Sequence, residues 1–406
     1  MNDTDTATSM PLAYTDALAG ANRAARPSNP LDSNSPIIVH CHLRWNFVWQ
    51  RPQQIFSRLA VHHPILFIED PLFEGDDRTL RITEPHPNVV RVVPVLPERN
   101  TISVDDQCKA ILPMLKEALE AHPLCMGRFE SAVQWFYSPM TAPMFLGRLD
   151  TVRTVYDCMD ELANFRFAPA DLPDRERILM ARADVIFTGG YRLYEAKSLH
   201  HDDVHFFGCG VDVGHYGKAR YDATEIPGEV ANLNHPILGY FGVIDERLDY
   251  DLLRALATEF AIGSIVMVGP VVKVDPNSLP RLPNLHWLGQ RAYDDLPALV
   301  KSFDVCLMPF AMNDATQYIN PTKTLEYMAA AKPIVSTAVP DVVKHFSSIV
   351  HIARDADEFV AAAAKLCRSP DRARIEQGVA LANSSSWDSI VAQIRTCVIG
   401  QAAIAS

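Results

Sequence analysis

The chain has 406 residues, 48% of them apolar and 21% charged, with a formal net charge of −12. That length suits two domains, each with its own core, better than one. The acidic balance excludes nucleic acid as the main partner and a generally polybasic membrane-binding face, since both need clustered Lys and Arg.

Eight cysteines are scattered at positions 41, 108, 125, 158, 209, 306, 367 and 397 without a CxxC pair. Several sit inside apolar runs, as buried thiols do, which points to a reducing, cytoplasmic compartment. Residues 1–35 are polar and irregular, and they read as a disordered tail without the apolar core of a signal peptide. No apolar run reaches the ~20 residues that a membrane-crossing helix needs, so any membrane contact must be peripheral.

Ordered structure should begin at the strand Pro36–His42, apolar on both faces. A loop and helix follow over Leu43–Ala60, with Ile55, Phe56 and Leu59 inward, then strands over His63–Asp70 and Asn88–Leu96. Next come a helix near Cys108–Ala121 and strands at Ala132–Pro139, Arg153–Glu161 and Ala183–Gly190. Val204–Tyr216 closes this half, and the polar stretch Gly217–His235 reads as a connection. The pattern restarts with strands over His235–Asp245, Ser264–Val271, Asn284–Gly289 and Asp304–Phe310 and helices near Asp249–Phe260 and Asp294–Phe303. Such alternation predicts an α/β fold of two doubly wound, Rossmann-like domains, 36–217 and 236–385, facing a central cleft. Residues 386–406 should form a last packed helix and a tail.

The most informative stretch is NPTKTLEYMAAAKPIVST, Asn320–Thr337. Asn320 is a good N-cap and Pro321 a good first helical residue, Leu325, Met328 and Ala329 share a face, and Lys332-Pro333 stops the helix. Backbone N–H groups around Thr322, Lys323 and Thr324, with the Lys323 ammonium beside them, would suit a diphosphate. Glu326, a turn further on, could accept hydrogen bonds from two sugar hydroxyls. An ordinary helix–strand unit with Lys323 and Glu326 facing solvent explains the same residues.

Cys209-Gly-Val-Asp212, Gly239-Tyr-Phe-Gly242, Val268-Gly269, NLHWLG and TKTLEYMAAAKPIVST together resemble, in order and spacing, nucleotide-sugar glycosyltransferases of the GT-B fold. The nearest likeness is to the family-four, group 1 retaining enzymes. RWNFVWQRPQ and VYDCMDE resemble a bacterial branch that builds surface polysaccharide and teichuronic acid. The resemblance implies donor binding in the second domain by Gly242, Gly269, Gln290, Thr322, Thr324, Leu325 and Glu326, with the acceptor in the first. It also implies a nucleoside-diphosphate sugar as co-substrate, a glycan or lipid-linked acceptor, and no cofactor. The family's pair of glutamates is incomplete, since the earlier position is Tyr318. The arginine usual after the first glycine is Val243, and Arg247 is the nearest basic residue.

Arg247 and Lys323 can stabilise a leaving diphosphate without a metal. Arg247 could equally be held by Asp245 or Asp249. Asp157, at the end of an apolar strand between Tyr156 and Cys158, is the candidate general base, and its rival role is to cap a helix. Trp45, Arg51 and Asp160 are candidates for acceptor contact, with Phe47 and Trp49 assigned to the core. His40 and His42 share a strand face, but no zinc-like spacing accompanies them, and no metal site is expected. Two rival functions fit the same fold: a nucleotide-sugar epimerase, and a degenerate nucleotide- or glycan-binding protein.

Overall fold

In a computed structural model, the described residues are 31–97, 102–165 and 167–400. Thirty residues of the expected N-terminal tail therefore lie outside them, as do the last six of the chain. The first domain is built on nine strands: β1 (Ile37–Cys41), β2 (Ile65–Glu69), β3 (Leu72–Phe73), β4 (Thr79–His86), β5 (Val89–Leu96), β6 (Ala132–Phe136), β7 (Thr151–Cys158), β8 (Val185–Thr188) and β9 (Val204–Phe206). They run in the order β3-β5-β2-β1-β6-β7-β8-β9, with β4 on β5. The second domain has six: β10 (Ile237–Phe241), β11 (Ser264–Val268), β12 (Leu285–Gly289), β13 (Val305–Met308), β14 (Ile334–Thr337) and β15 (His351–Ala353), ordered β12-β11-β10-β13-β14-β15.

All pairings are parallel except β4 with β5. Parallel strands buried on both faces need unbroken apolar runs, which is why β1, β2, β6, β10 and β11 are buried along their whole length. β4 is the exception that the apolar pattern did not announce. Its TLRITEPH sequence is mostly exposed, and as an antiparallel edge it needs only one partner.

Each sheet reverses its winding direction once, between β1 and β6 in the first and between β10 and β13 in the second. At such a point the helices before and after leave on opposite faces, and a crevice opens beyond the carboxyl ends of the strands. The two crevices face each other. Apolar layers hold each sheet. Ile37, Val39, Phe56 and Trp135 pack on one face of the first, Ile38, Leu66, Ile111 and Leu179 on the other, and Leu238, Val266, Leu307 and Val335 lie at the centre of the second. Each such side chain, fully buried, contributes roughly 1.5–3 kcal/mol.

The last helix, Trp387–Ile399, crosses back to the first domain, where Val391, Ile394 and Val398 join the layer of Ile37 and Val39. A Cβ at Gly210 would lie 2.9 Å from Trp387, so only glycine lets the returning chain approach this closely. The helix Arg372–Ser384 escaped the hydropathy pattern because it buries only Gly378 and Ala382. No helix among the described residues is long and apolar enough to cross a membrane.

Candidate functional site

Between the carboxyl ends of β1 and β7 on one side and β10, β11 and β13 on the other lies a cavity of about 1140 Å³, including the part open to solvent. Its second-domain wall starts at Gly242 and Gly269, one after each of two neighbouring strands. Both have positive φ, 141° and 148°, in a region closed to other residues. A Cβ on Gly242 would run into the Lys323 side chain, and one on Gly269 into the Gly242 carbonyl. The glycines therefore let backbone and lysine approach one another and whatever fills the cavity.

Lys323 is the first residue of a seven-residue helix, Lys323–Ala329, which starts two residues later than the sequence suggests. Pro321 and Thr322 form the preceding turn: their carbonyls accept from the N–H groups of Thr324, Leu325 and Glu326. Those donors are thus not free for a ligand. Thr324 is fully buried with its hydroxyl on the Met308 sulfur, and Leu325 sits in the core. Both are corrected from donor-binding residues to packing residues, because they lie on the inward face of the helix. Thr322, Lys323 and Glu326 do line the cavity, together with Gln290 from the end of β12.

The Lys323 ammonium lies 5.7 Å from the Tyr240 ring centre. Burial lowers its pKa, and the nearby Glu326 carboxylate partly restores it. Glu326 is pushed up to about 7 by burial, against the pull of Lys323 and the Tyr216 hydroxyl. Arg247 also faces the cavity, held by Asp245 through Nε–Oδ1 at 3.0 Å and Nη2–Oδ2 at 2.8 Å. Burial opposes its charge, but Asp245 and Asp160 outweigh that and raise its pKa. Both readings of Arg247 thus describe one side chain.

The first-domain wall differs from expectation. Asp157 is completely buried and bonded to Arg51, with Nε–Oδ1 at 3.0 Å, while Arg51 Nη1 donates to the Phe207 carbonyl at 2.7 Å. Asp157 does not reach the cavity, because its side chain leaves β7 toward the helix Arg51–Leu59. It is corrected from general base to the counter-ion of Arg51. Arg51 itself borders the cavity with its Nη2 lacking a protein partner. Asp160, three residues on and just past the end of β7, is the carboxylate that faces the cavity, and burial raises its pKa to about 6, with Arg247 opposing.

The tryptophans are exchanged. Trp45 is 4% exposed and packs edge-on to Phe67 at 5.1 Å, with its backbone N–H on Glu69, so it is core and not an acceptor contact. Trp49 lines the cavity near Tyr293 of the second domain, and Phe47 is 38% exposed. Tyr318, where the resemblance leads one to look for a glutamate, does not line the cavity. Its ring lies 5.4 Å from the Arg192 guanidinium, and Arg192 also donates to Gln317 at 2.7 Å, docking this loop onto the first domain. Cavity residues that the sequence did not suggest include Tyr216, Tyr240 and Asn320. Asn320 donates to the Gly189 carbonyl at 3.2 Å instead of capping a helix, which ties the two domains together at the cavity edge.

Of the histidines, His40 stacks on Phe136 at 4.5 Å and pairs with Gln134. Among the described residues no group of three or more His, Cys, Asp or Glu could hold a metal ion.

Residues 236–369 match the family model described as glycosyl transferases group 1. Over those residues the second domain is similar to group 1 glycosyltransferases. Over 165 residues the chain is 28% identical to the putative teichuronic acid biosynthesis glycosyltransferase TuaH of Bacillus subtilis, covering 39% of this chain and 42% of that protein. The chain thus spans about two-fifths of the length of the curated relative it matches. Sucrose-phosphate synthase from Thermosynechococcus elongatus superposes with a TM-score of 0.66 at 13% identity, covering 92% of this chain and 100% of its own. HepE from Anabaena, in complex with UDP and glucose, does so with a TM-score of 0.61 at 14% identity, covering 90% of this chain and 99% of its own. At such identities the likeness is one of fold, and the fold is GT-B.

Proposed function

We propose that the chain is a glycosyltransferase that moves a sugar from a nucleoside-diphosphate donor to a glycan or lipid-linked acceptor in surface-polysaccharide assembly. The observation that carries this reading is the convergence of Lys323, Arg247 and Glu326 on the glycine-lined crevice of a domain similar to group 1 glycosyltransferases. Two fixed cations next to backbone without Cβ atoms fit a diphosphate, and they offset the charge that develops as it leaves. Glu326 fits the ribose hydroxyls. Arg247 and Lys323 supply this charge without a metal. The UDP named with HepE and the teichuronic acid role named for TuaH agree with such a donor and pathway. Eight unpaired cysteines agree with a cytoplasmic site of action, with any membrane contact peripheral.

We assign retention of anomeric configuration, because the carboxylate first offered as a base, Asp157, is engaged by Arg51. A product of inverted configuration would transfer the base role to Asp160. Tyr318 turned out of the cavity favours a second reading, a nucleotide-binding protein that performs no transfer.

The test is a thermal-shift screen of UDP, GDP, ADP and dTDP on the wild-type chain and on Lys323→Ala/Glu326→Ala. A ligand at 100 times its Kd adds about 2.7 kcal/mol of stability. One nucleotide should shift the wild type and not the variant. If none does, the donor assignment fails. If one does but its sugar conjugate is neither transferred nor slowly hydrolysed, the second reading holds.

A further inference from the structure

Glu326 does not meet the cavity alone. The chain crosses from the first domain to the second just before the short helix Val213–Tyr216, and Tyr216 ends that helix inside the second-domain core. It lines the cavity yet is only 1% exposed. Its ring stacks on Phe241 at 5.8 Å and meets Tyr293 edge-on at 5.9 Å. The neighbouring His215 closes the frame: its ring stacks on Tyr293 at 3.9 Å, and its Nε2 donates to the Tyr293 carbonyl at 3.0 Å. Asp212 accepts the His215 backbone N–H at 2.9 Å and so fixes the start of the turn. A ring enclosed in this way has little freedom, and a buried phenol needs a partner for its hydroxyl. Tyr216 donates that hydroxyl to the Glu326 carboxylate.

A carboxylate has two oxygens and about four acceptor sites. The phenol occupies one of them in Glu326, and the carboxylate still lines the cavity. The bond fixes the plane of the carboxyl group. It also favours the ionised form, which burial opposes. The second effect matters, because a protonated carboxyl presents a donor where two ribose hydroxyls need acceptors. Lys323, three residues earlier on the helix, supports the same charge. Cys209, Tyr240, Tyr293 and Tyr327 also face Glu326, and burial raises the pKa of each, so they stay neutral and do not oppose it.

We propose that Tyr216 is a positioning residue that acts through Glu326 and makes the site select ribose over 2′-deoxyribose in a nucleoside diphosphate. This assignment rests on the donor reading above and extends it to the residue that sets sugar selectivity. A carboxylate held in one plane reads two neighbouring hydroxyls together. The 2′-deoxy sugar leaves one buried oxygen of Glu326 without a partner, which is costly.

The test is calorimetric titration of the full chain with UDP, GDP and ADP, each beside its 2′-deoxy counterpart, between pH 6 and pH 9. Wild type, Tyr216→Phe, Glu326→Gln and the double variant are compared. Tyr216→Phe keeps the ring on Phe241, and a melt of each variant checks that it is folded. The wild type should prefer the ribonucleotide by about tenfold or more, as a hydrogen bond to a charged group does. That preference should rise with pH as Glu326 loses its proton near 7. Taking the ratio cancels the titration of the diphosphate, which both members of a pair share. Tyr216→Phe should cut the preference several-fold at neutral pH and move its rise to higher pH. Glu326→Gln should lose most of the preference and its pH dependence, and adding Tyr216→Phe to it should change little more. A preference that Tyr216→Phe leaves intact, or cuts equally in both backgrounds, overturns the assignment and leaves the donor site standing. So does a wild type that binds both members of a pair alike or takes dTDP alone, and neither result needs a folded variant. Binding of no nucleotide refutes the donor reading and this assignment with it.

Discussion

The two domains that meet at the inner cavity use their charges differently. Behind the first-domain wall the charges satisfy each other: Arg51 holds Asp157, and Glu69 holds Arg44, Arg91 and the Trp45 N–H, which leaves Asp160 as the carboxylate of this domain that faces the cavity. On the second-domain wall Lys323 and Glu326 face open space, and each is shifted toward its neutral form by burial. Charges that have found partners fix a shape. Charges held in a half-dry cavity without full partners are costly until a ligand supplies the missing half. The contrast assigns holding to one wall and binding to the other, and it can be attacked from either side.

The largest effect should come from the holding wall. Asp157→Ala leaves the Arg51 guanidinium buried and unpaired, which costs about 3–5 kcal/mol. Chemical denaturation should show that loss, and Arg51→Met/Asp157→Leu should recover most of it. A variant of normal stability that had lost transfer would return Asp157 to catalysis.

On the binding wall, Lys323→Ala should leave stability unchanged or raise it, since it removes a buried cation. It should weaken the nucleoside diphosphate by about 1.5–3 kcal/mol, the contribution of a hydrogen bond to a charged group. Arg247→Ala should lose less, because Asp245 already neutralises that guanidinium. Calorimetry that ranked the two in the opposite order would place the diphosphate nearer Arg247.

The third effect has a definite sign. The Glu326 carboxyl keeps its proton to about pH 7 in the folded chain but loses it near 4.5 when unfolded. Between those values the folded state holds more protons, so this residue's contribution to stability falls as pH rises. Glu326→Gln, which cannot ionise, should therefore gain on the wild type from pH 5 to pH 8, by on the order of 2 kcal/mol. Parallel melts across that range check it, and a constant difference would mean that Glu326 is ionised throughout.

The same contrast explains what was legible in the chain. The second wall follows from local features: a glycine after each of two apolar strands, and a lysine and a glutamate three residues apart on a short helix. Such spacing survives folding unchanged. Arg51 and Asp157 are 106 residues apart, and nothing local in RPQQ or VYDC reveals that they meet. The carboxylate nearest the apolar strand therefore looked reactive, although it is the next acidic residue, Asp160, that emerges into the cavity. Tyr318 gives the same lesson, since its partner Arg192 lies in the other domain. The two parallel sheets were readable for the opposite reason, because parallel strands need long apolar runs and helices to cross between them. Where burial is slight, as in β4 and the helix Arg372–Ser384, that signal fades.

The smallest effect is that of Trp49, with Trp45 as its contrast. Trp45 and Trp49 are four residues apart in one loop, with ring centres 6.1 Å apart, yet one faces the core and the other the cavity. Trp45→Ala should cost stability in the range of other core aromatic truncations, about 3–5 kcal/mol. Trp49→Ala should cost little stability, because one side of its ring already borders empty space. It also removes a contact with Tyr293, 5.8 Å away on the other domain, so the cavity should close less firmly on its contents. An aromatic pair of this kind contributes roughly 0.5–1.5 kcal/mol beyond its buried area. Bound nucleotide should therefore leave Trp49→Ala several-fold faster than the wild type, as stopped-flow displacement would read. An unchanged off-rate would mean that Trp49 takes no part in closing the domains over the donor, leaving that work to the Asn320–Gly189 and Arg192–Gln317 contacts on the opposite rim.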